Sequence, residues 1–298
     1  MIKKLLAVGT SVILAAGISA CAGLTAEQPS KLDLQVYNPQ QESMFPVTST
    51  LITGPSEAVL FDAQFQKNDA EKLVELIQES GKNLTTIYIS HGDPDYYFGL
   101  DVLHKAFPQA RIVATPATVK KIAKSMQGKK AYWGPILKEN APQQLLLPQA
   151  LTSDQLLVDG EEINIIGFNG HDPLHTFAWI PSKKTVLGGV VLFENMHLWI
   201  ADNKTSASRD AWLKTLKNMK ALQPNRVIAG HFLGQSKQDT RIIDFTQNYI
   251  QAFENAAGAS DNAQGLITNV KGHYPELPSV GTLEFSAKVV KGDIKWPK

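Results

Sequence analysis

A mixed β-sheet system covered by helices, in the α/β class, is the architecture this 298-residue sequence predicts. Three observations predict it. Apolar and β-branched runs alternate with helical patterns from residue 32 to residue 257. Hairpin-like turns join some of the strands, as at Gly54-Pro55. Hydrophobic residues make up 43% of the chain, enough to bury a sizeable core.

The elements follow in order. Residues 32–37 (L-D-L-Q-V-Y) alternate apolar and polar side chains, the period of a strand. Strands at 45–52 and 58–61 flank the Gly54-Pro55 turn. Residues 68–81 (N-D-A-E-K-L-V-E-L-I-Q-E-S-G) predict a helix, with an asparagine cap, early acids, apolar residues at helical spacing and a glycine stop. A buried strand at 85–89, a helix at 99–106, a short strand at 111–114 and a helix at 116–126 come next. Residues 127–144 carry Tyr132, Trp133 and two prolines, and they predict a loop or lid. Strands are expected at 156–158, 163–168 and 176–180, with one long strand or a strand pair at 185–193. A helix at 208–221, a strand at 226–228 and a long amphipathic helix at 240–257 complete the pattern. Residues 258–298 are rich in small and polar side chains and are expected as a C-terminal extension, packed on the domain at 32–257 or trailing from it.

The formal net charge is +1, and no basic stripe or arginine cluster points to nucleic acid. Lys3 and Lys4 precede an apolar stretch at 5–18 and then small residues, the pattern of a secretory signal over residues 1–20. No second apolar segment is long enough to span a bilayer. Removing residues 1–20 takes off two lysines and no acids and turns the net charge to −1. Cys21 is the only cysteine, so no internal disulfide can form. Ile18-Ser19-Ala20-Cys21 resembles a bacterial lipobox, which implies cleavage before Cys21 and lipid on its sulfur. An ordinary signal peptide with an incidental cysteine is the alternative. With no aspartate after Cys21, the resemblance implies a protein tethered through 21–31 to the outer membrane and facing the periplasm.

Three of the seven histidines end an apolar run: His91 (I-Y-I-S-H), His171 (I-I-G-F-N-G-H) and His231 (R-V-I-A-G-H). Each alone reads as a hydrogen-bonded residue at a strand end. Together with Asp93 and Asp95, at alternate positions after His91, they suggest a shared metal site.

These residues carry a resemblance. His91-Gly92-Asp93-Pro94-Asp95-Tyr96-Tyr97-Phe98-Gly99 is similar to the H-x-H-x-D-H-x-x-G motif of the metallo-β-lactamase fold. Residues 45–62 resemble its opening hairpin. Val158-Asp159-Gly160 with Gly170-His171-Asp172-Pro173-Leu174-His175 resembles its D-G…G-H-T-P-G-H segment, and Ala229-Gly230-His231 its late P-G-H. Residues 190–202, through His197, Trp199, Ala201 and Asp202, resemble a further variant stretch. The resemblance implies an αββα four-layer sandwich, with the site at the edge between two sheets.

It also implies roles, and the departures qualify them. Asp93 stands where the family has a histidine, Tyr96 where it has another, and Val190 at the place of a bridging aspartate. The expectation is therefore one divalent metal, zinc first with iron or manganese as alternatives, on His91, Asp93 and His171. Asp95 and His231 would be recruited across the cleft or act as general base. Asp62 is expected to support the ligands, and Asp172 to add a ligand or cap a turn. Tyr96, Tyr97, His175 and His197 are expected to line the substrate pocket. Tyr132 and Trp133 are further pocket candidates, and His104 and His273 are surface or packing residues. The implied function is metal-dependent hydrolysis of a small ester, lactone or amide. A non-catalytic binding lipoprotein of the same fold and a mononuclear iron oxidoreductase are the alternatives.

Replacing the thiol removes the point of lipid attachment, so Cys21→Ser is expected to move the protein from the membrane fraction to the soluble fraction. Fractionation of expressing cells checks this; retention of the variant in the membrane fraction overturns the anchor.

Overall fold

The computed structural model describes residue 2 and residues 30–296. Cys21 and most of the expected tether lie outside the described residues. The chain opens with an antiparallel meander of β1 (Asp33–Tyr37), β2 (Ser49–Thr53) and β3 (Glu57–Phe61). Helix α1 (Lys67–Ser80) crosses over to β4 (Asn83–Ile89), which pairs parallel to β3. Two short helices follow, α2 (Pro94–Tyr97) and α3 (Leu100–Ala106). Strand β5 (Arg111–Ala114), the long helix α4 (Pro116–Leu137) and β6 (Gln149–Ala150) finish a six-stranded sheet in sequential order.

The second sheet has the order β12-β10-β9-β8-β7. It is built from β7 (Gln155–Val158), β8 (Glu161–Ile166), β9 (Phe177–Ile180), β10 (Thr185–Leu187) and β12 (Arg226–Ile228). A parallel pair of β11 (Phe193–Glu194) and β13 (His231–Phe232) lies beside it. Helices α5 (Ser206–Ala221), α6 (Arg241–Ala259), α7 (Ala263–His273) and α8 (Val280–Lys291) complete the fold.

Side-chain alternation builds the layers. In β3, Ala58 and Leu60 face one way, into a core with Leu73 and Ile77 of α1 and Ile122 of α4. Val59 and Phe61 face the other way, into a core with Ile163, Ile165 and Ile180 of the second sheet. The outer face of that sheet packs on α5–α8 through Val186, Val227, Trp212 and Phe253. The order is helices, sheet, sheet, helices, as the resemblance implies.

One segment differs from expectation, and the C-terminal segment takes the packed form of its two expected ones. Residues 127–137 extend α4 rather than forming a loop. Pro135 removes one backbone donor, but the helix ends two residues later, so only its last turn is affected. Trp133 fixes this extension by packing edge-on to Phe45 and Phe65, both at 5.4 Å. After residue 258 the chain forms α7 and α8, which bury Leu266, Val270 and Leu283 in the core of the second half. No described helix is long and apolar enough to cross a membrane.

Gly99 shows how tightly the first half closes around the histidine motif. A Cβ there would lie 2.0 Å from the Ala63 carbonyl oxygen and 2.6 Å from the Ala70 Cβ. Gly99→Ala is expected to destabilise the protein by about 2–3 kcal/mol through overpacking. Gly128→Ala, in open space on α4, is expected to stabilise it by about 0.5–1 kcal/mol. Urea unfolding of the two variants beside the parent checks both signs.

Candidate active site

The site sits where the two halves meet. The segment after β4 delivers Ser90, His91 and Asp93, and α2 delivers Asp95, all from the first half. The turn between β12 and β13 leads into His231, the first residue of β13, from the second. That turn comes close because Gly230 and Gly189 lack side chains. A Cβ on Gly230 would lie 2.1 Å from the Gly189 carbonyl oxygen, and one on Gly189 would lie 2.4 Å from His91 Cε1.

Asp95 and His231 bond directly across the joint, with Oδ2 2.9 Å from Nε2. The other ring nitrogen, Nδ1, lies 3.1 Å from the Tyr96 hydroxyl. All three residues are buried, and the His231 ring stacks on Phe193 with centroids 4.9 Å apart. Burial, reinforced by Asp95, holds the Tyr96 phenol well above its ordinary range, so it remains protonated. A protonated phenol donates to Nδ1, which leaves Nε2–H to donate to Asp95.

A second buried chain supports His91. Asp62 accepts from the Ser90 backbone N–H and from its hydroxyl, both at 2.8 Å, and the Ser90 Oγ lies 2.7 Å from His91 Nδ1. Desolvation pushes the Asp62 carboxyl up to about 8 although Ser90 opposes it. Burial holds the His91 imidazole below its ordinary value, so the ring is neutral. His91 Nε2 is buried with no hydrogen-bond partner.

Asp93 is held by different groups. Its Oδ1 lies 3.1 Å from Lys121 Nζ and 2.9 Å from Lys129 Nζ, and both lysines come from α4. Burial alone would raise the Asp93 carboxyl, but the two ammonium groups outweigh it and hold it far below the usual carboxylate range. Burial works against the Lys121 charge in turn, and Asp93 holds that ammonium above its ordinary value.

The structure divides the expected ligand set. His171 is exposed, with Nε2 3.0 Å from the Ala211 carbonyl oxygen on α5, and does not join His91. His175 takes the inward place instead. Its Nδ1 lies 2.7 Å from Asp172 Oδ2, its ring stacks on Trp212, and its centroid is 6.5 Å from that of His91. Asp172 therefore orients His175. His197 bonds Tyr249 through Nδ1 at 2.7 Å, and burial together with Lys271 holds it down to about 4. Tyr97 is buried in the core of the first half.

A cleft opens beside Asp95 and His231. Phe45, Trp133, Phe193, Trp199 and Trp296 give it aromatic walls, and Asp93, Lys129 and Asp202 add charge. Asp202 accepts from the indoles of Trp199 at 2.7 Å and Trp296 at 2.9 Å. Lys121, Lys129, Phe193 and Trp296 were not singled out by sequence. The two lysines are eight residues apart, a spacing that returns to one side of a helix, but this shows only once the helix is known to reach residue 137.

These residues do not fit a divalent metal. Among the described residues no group of three or more His, Cys, Asp or Glu side chains is placed to hold one. His91 Nε2 is a free donor atom, but Asp95 and His231 are bonded to each other and Asp93 carries two ammonium groups. A divalent ion on Asp93 would sit within about 5 Å of both, and at an effective dielectric near 20 each repulsion would be roughly 6–7 kcal/mol.

The comparisons with known proteins agree with the sandwich. The family model described as the metallo-beta-lactamase superfamily matches residues 44–231. No curated protein matches the chain. Among solved structures, a metallo-beta-lactamase from Pontibacter korlensis is 14% identical. Its alignment covers 76% of this chain and 97% of that one, with a TM-score of 0.53. The metallo-beta-lactamase DIM-1 is 20% identical over 74% of this chain and 93% of its own, with a TM-score of 0.47.

Removing the Asp93 charge strands two half-buried ammonium groups, so Asp93→Asn is expected to cost about 2–3 kcal/mol at pH 7. Because the folded-state carboxyl is depressed, its stabilisation is complete above the unfolded value near 4 and is lost as pH falls below it. Urea unfolding of parent and variant from pH 7 to pH 3 checks both the gap and its narrowing below about pH 4.

Proposed function

Because the chain belongs to the metallo-beta-lactamase superfamily, whose members include metal-dependent hydrolases, we propose that it hydrolyses a small ester, lactone or amide bound in the aromatic cleft. The observation that carries this reading is the buried Asp95–His231–Tyr96 chain opening on that cleft. His231 fixes one oxygen of Asp95 and leaves the carboxylate able to act on a water at the cleft. Asp95 takes a proton from the water as its oxygen attacks the carbonyl carbon, and the carbonyl π pair moves onto oxygen. As that pair returns, the bond to the leaving group breaks, and the leaving group takes the proton back from Asp95. The aromatic walls suit an apolar acyl or alcohol portion.

No step here passes through a metal, since the side chains present do not fit one. The iron oxidoreductase reading loses its support for the same reason: His171 faces away from His91, and Asp93 is committed to lysines. A second reading, a non-catalytic binding protein, is favoured by that commitment of Asp93 and by the aromatic walls of the cleft. A lipid anchor at Cys21 would place either protein at the outer membrane, facing the periplasm.

Hydrolysis of a panel of aryl esters, lactones and anilides tests the reading. The parent is expected to turn over at least one class. Asp95→Asn and His231→Ala are expected to lose about 10²–10⁴-fold in kcat/KM while keeping the parent's circular dichroism. Unchanged turnover in Asp95→Asn sinks the assignment. Saturable binding without turnover of any panel member moves the conclusion to the binding protein.

A further inference from the structure

The superfamily frame has kept its cleft, and the positive charge on that cleft's wall belongs to the protein. We infer that the Asp93–Lys121–Lys129 cluster stands in the place of a metal ion, and that Lys129 Nζ is the electrophile that receives the substrate's carbonyl oxygen. The chemical part rests on the hydrolase reading; the replacement of the metal does not.

Four observations carry it. Asp93 bonds both ammonium groups, so within this cluster two cations share one carboxylate, with Asp95 and Asp202 as the further acids of the cleft. Lys121 and Lys129 are largely sheltered, with side chains 29% and 17% exposed. The backbone of the histidine motif is shaped to admit them. A Cβ on Gly92 would lie 2.7 Å from Lys121 Cδ, so the lysine stem crosses the motif where only glycine leaves room. Lys129 and Asp95 both line the cleft.

The geometry assigns complementary tasks. An ammonium group has three donors. One of Lys129's is directed at Asp93 at 2.9 Å, and a second lies 3.5 Å from the Gly92 carbonyl oxygen. The third is left for a ligand. When the water oxygen attacks the carbonyl carbon and the π pair moves to oxygen, that oxygen gains negative charge against Lys129. The proton goes to Asp95 and then to the leaving group, so the step needs no oxidant, reductant or ion. Fixed positive charge aimed at a developing oxyanion is an effective form of stabilisation. Lys121 positions this group indirectly, by holding Asp93.

The test uses the full chain after dialysis against a chelator. Elemental analysis is expected to find well under one equivalent of any transition metal. Calorimetric titration with zinc or manganese is expected to show no saturable one-to-one binding at micromolar concentrations. Turnover of the best panel substrate is expected to be unaffected by chelator. Lys129→Met is expected to lower kcat about 10²–10³-fold with little change in KM, and Lys129→Arg to recover part of the loss. Stoichiometric metal that is lost in Asp93→Asn, or activity removed by chelation and restored by zinc, overturns the replacement while leaving a hydrolase. If no panel member is turned over, the hydrolase reading fails, and the metal titration still decides: one-to-one zinc binding overturns the replacement, and its absence upholds it.

Discussion

Asp93 lies between two ammonium groups, and the character of the cleft depends on that contact. A carboxylate bonded by Lys121 and Lys129 cannot also face a divalent ion without bringing like charges within a few ångströms. The same contact explains local structure. Gly92 has no side chain because Lys121 lies across it. Helix α4 has to continue past residue 126 because Lys129 and Trp133 are on the extension, the first bonded to Asp93 and the second forming a cleft wall. The segment that reads as a lid from its prolines and aromatics is therefore part of the site's rigid frame.

The joint between the halves is the second constraint. Asp95 belongs to the first half and His231 to the second, so their bond forms only when the two sheets are packed. Gly189 and Gly230 permit that approach, and the backbone of His231 bridges to Val47 on the opening hairpin. Val190 packs against the apolar cores of both halves. An apolar residue at that position binds no cation, but it fills the seam that the glycines bring together. Site geometry and domain packing are thus one set of contacts, and loosening the seam would misplace Asp95 and His231 together.

Much of this was legible in the sequence, and the reasons for the rest are physical. Period-two alternation located the first strand, glycine and proline located the turn between the next two, and two of the three histidines ending apolar runs, His91 and His231, lie at the joint between the halves. Which histidine of the 167–176 loop turns inward was not legible. His171 and His175 both follow turn-forming residues, and the choice is made by Asp172, which bonds His175 within the turn, and by Trp212, which supplies the surface on which that ring stacks. The lysines were illegible for another reason. A lysine on a helix is ordinarily solvated, and nothing local distinguishes one that reaches a buried carboxylate on another element. The last two helices were hidden by composition: Leu266, Val270 and Leu283 are widely spaced among small polar residues, and their apolar face shows only against α6.

The three departures from the family's motif read differently once charge is followed. A histidine at position 93 would offer two lysines a neutral ring; aspartate offers them a counter-charge. An aspartate at position 190 would add a further negative charge to a cleft that already holds Asp93, Asp95 and Asp202, where the half-buried valine packs on the apolar cores of both halves. A histidine at position 96 would compete for His231 as a base, whereas a phenol kept protonated by burial donates to it and fixes the tautomer that bonds Asp95. Each change is neutral or adverse for binding a metal, and the one at position 93 pairs directly with the lysines. Scattered loss of ligands would not produce this agreement, because drift has no reason to supply Asp93 with two partners or to keep Asp95 aligned by His231. The changes are coherent as one exchange, in which mobile inorganic charge gives way to charge fixed on α4.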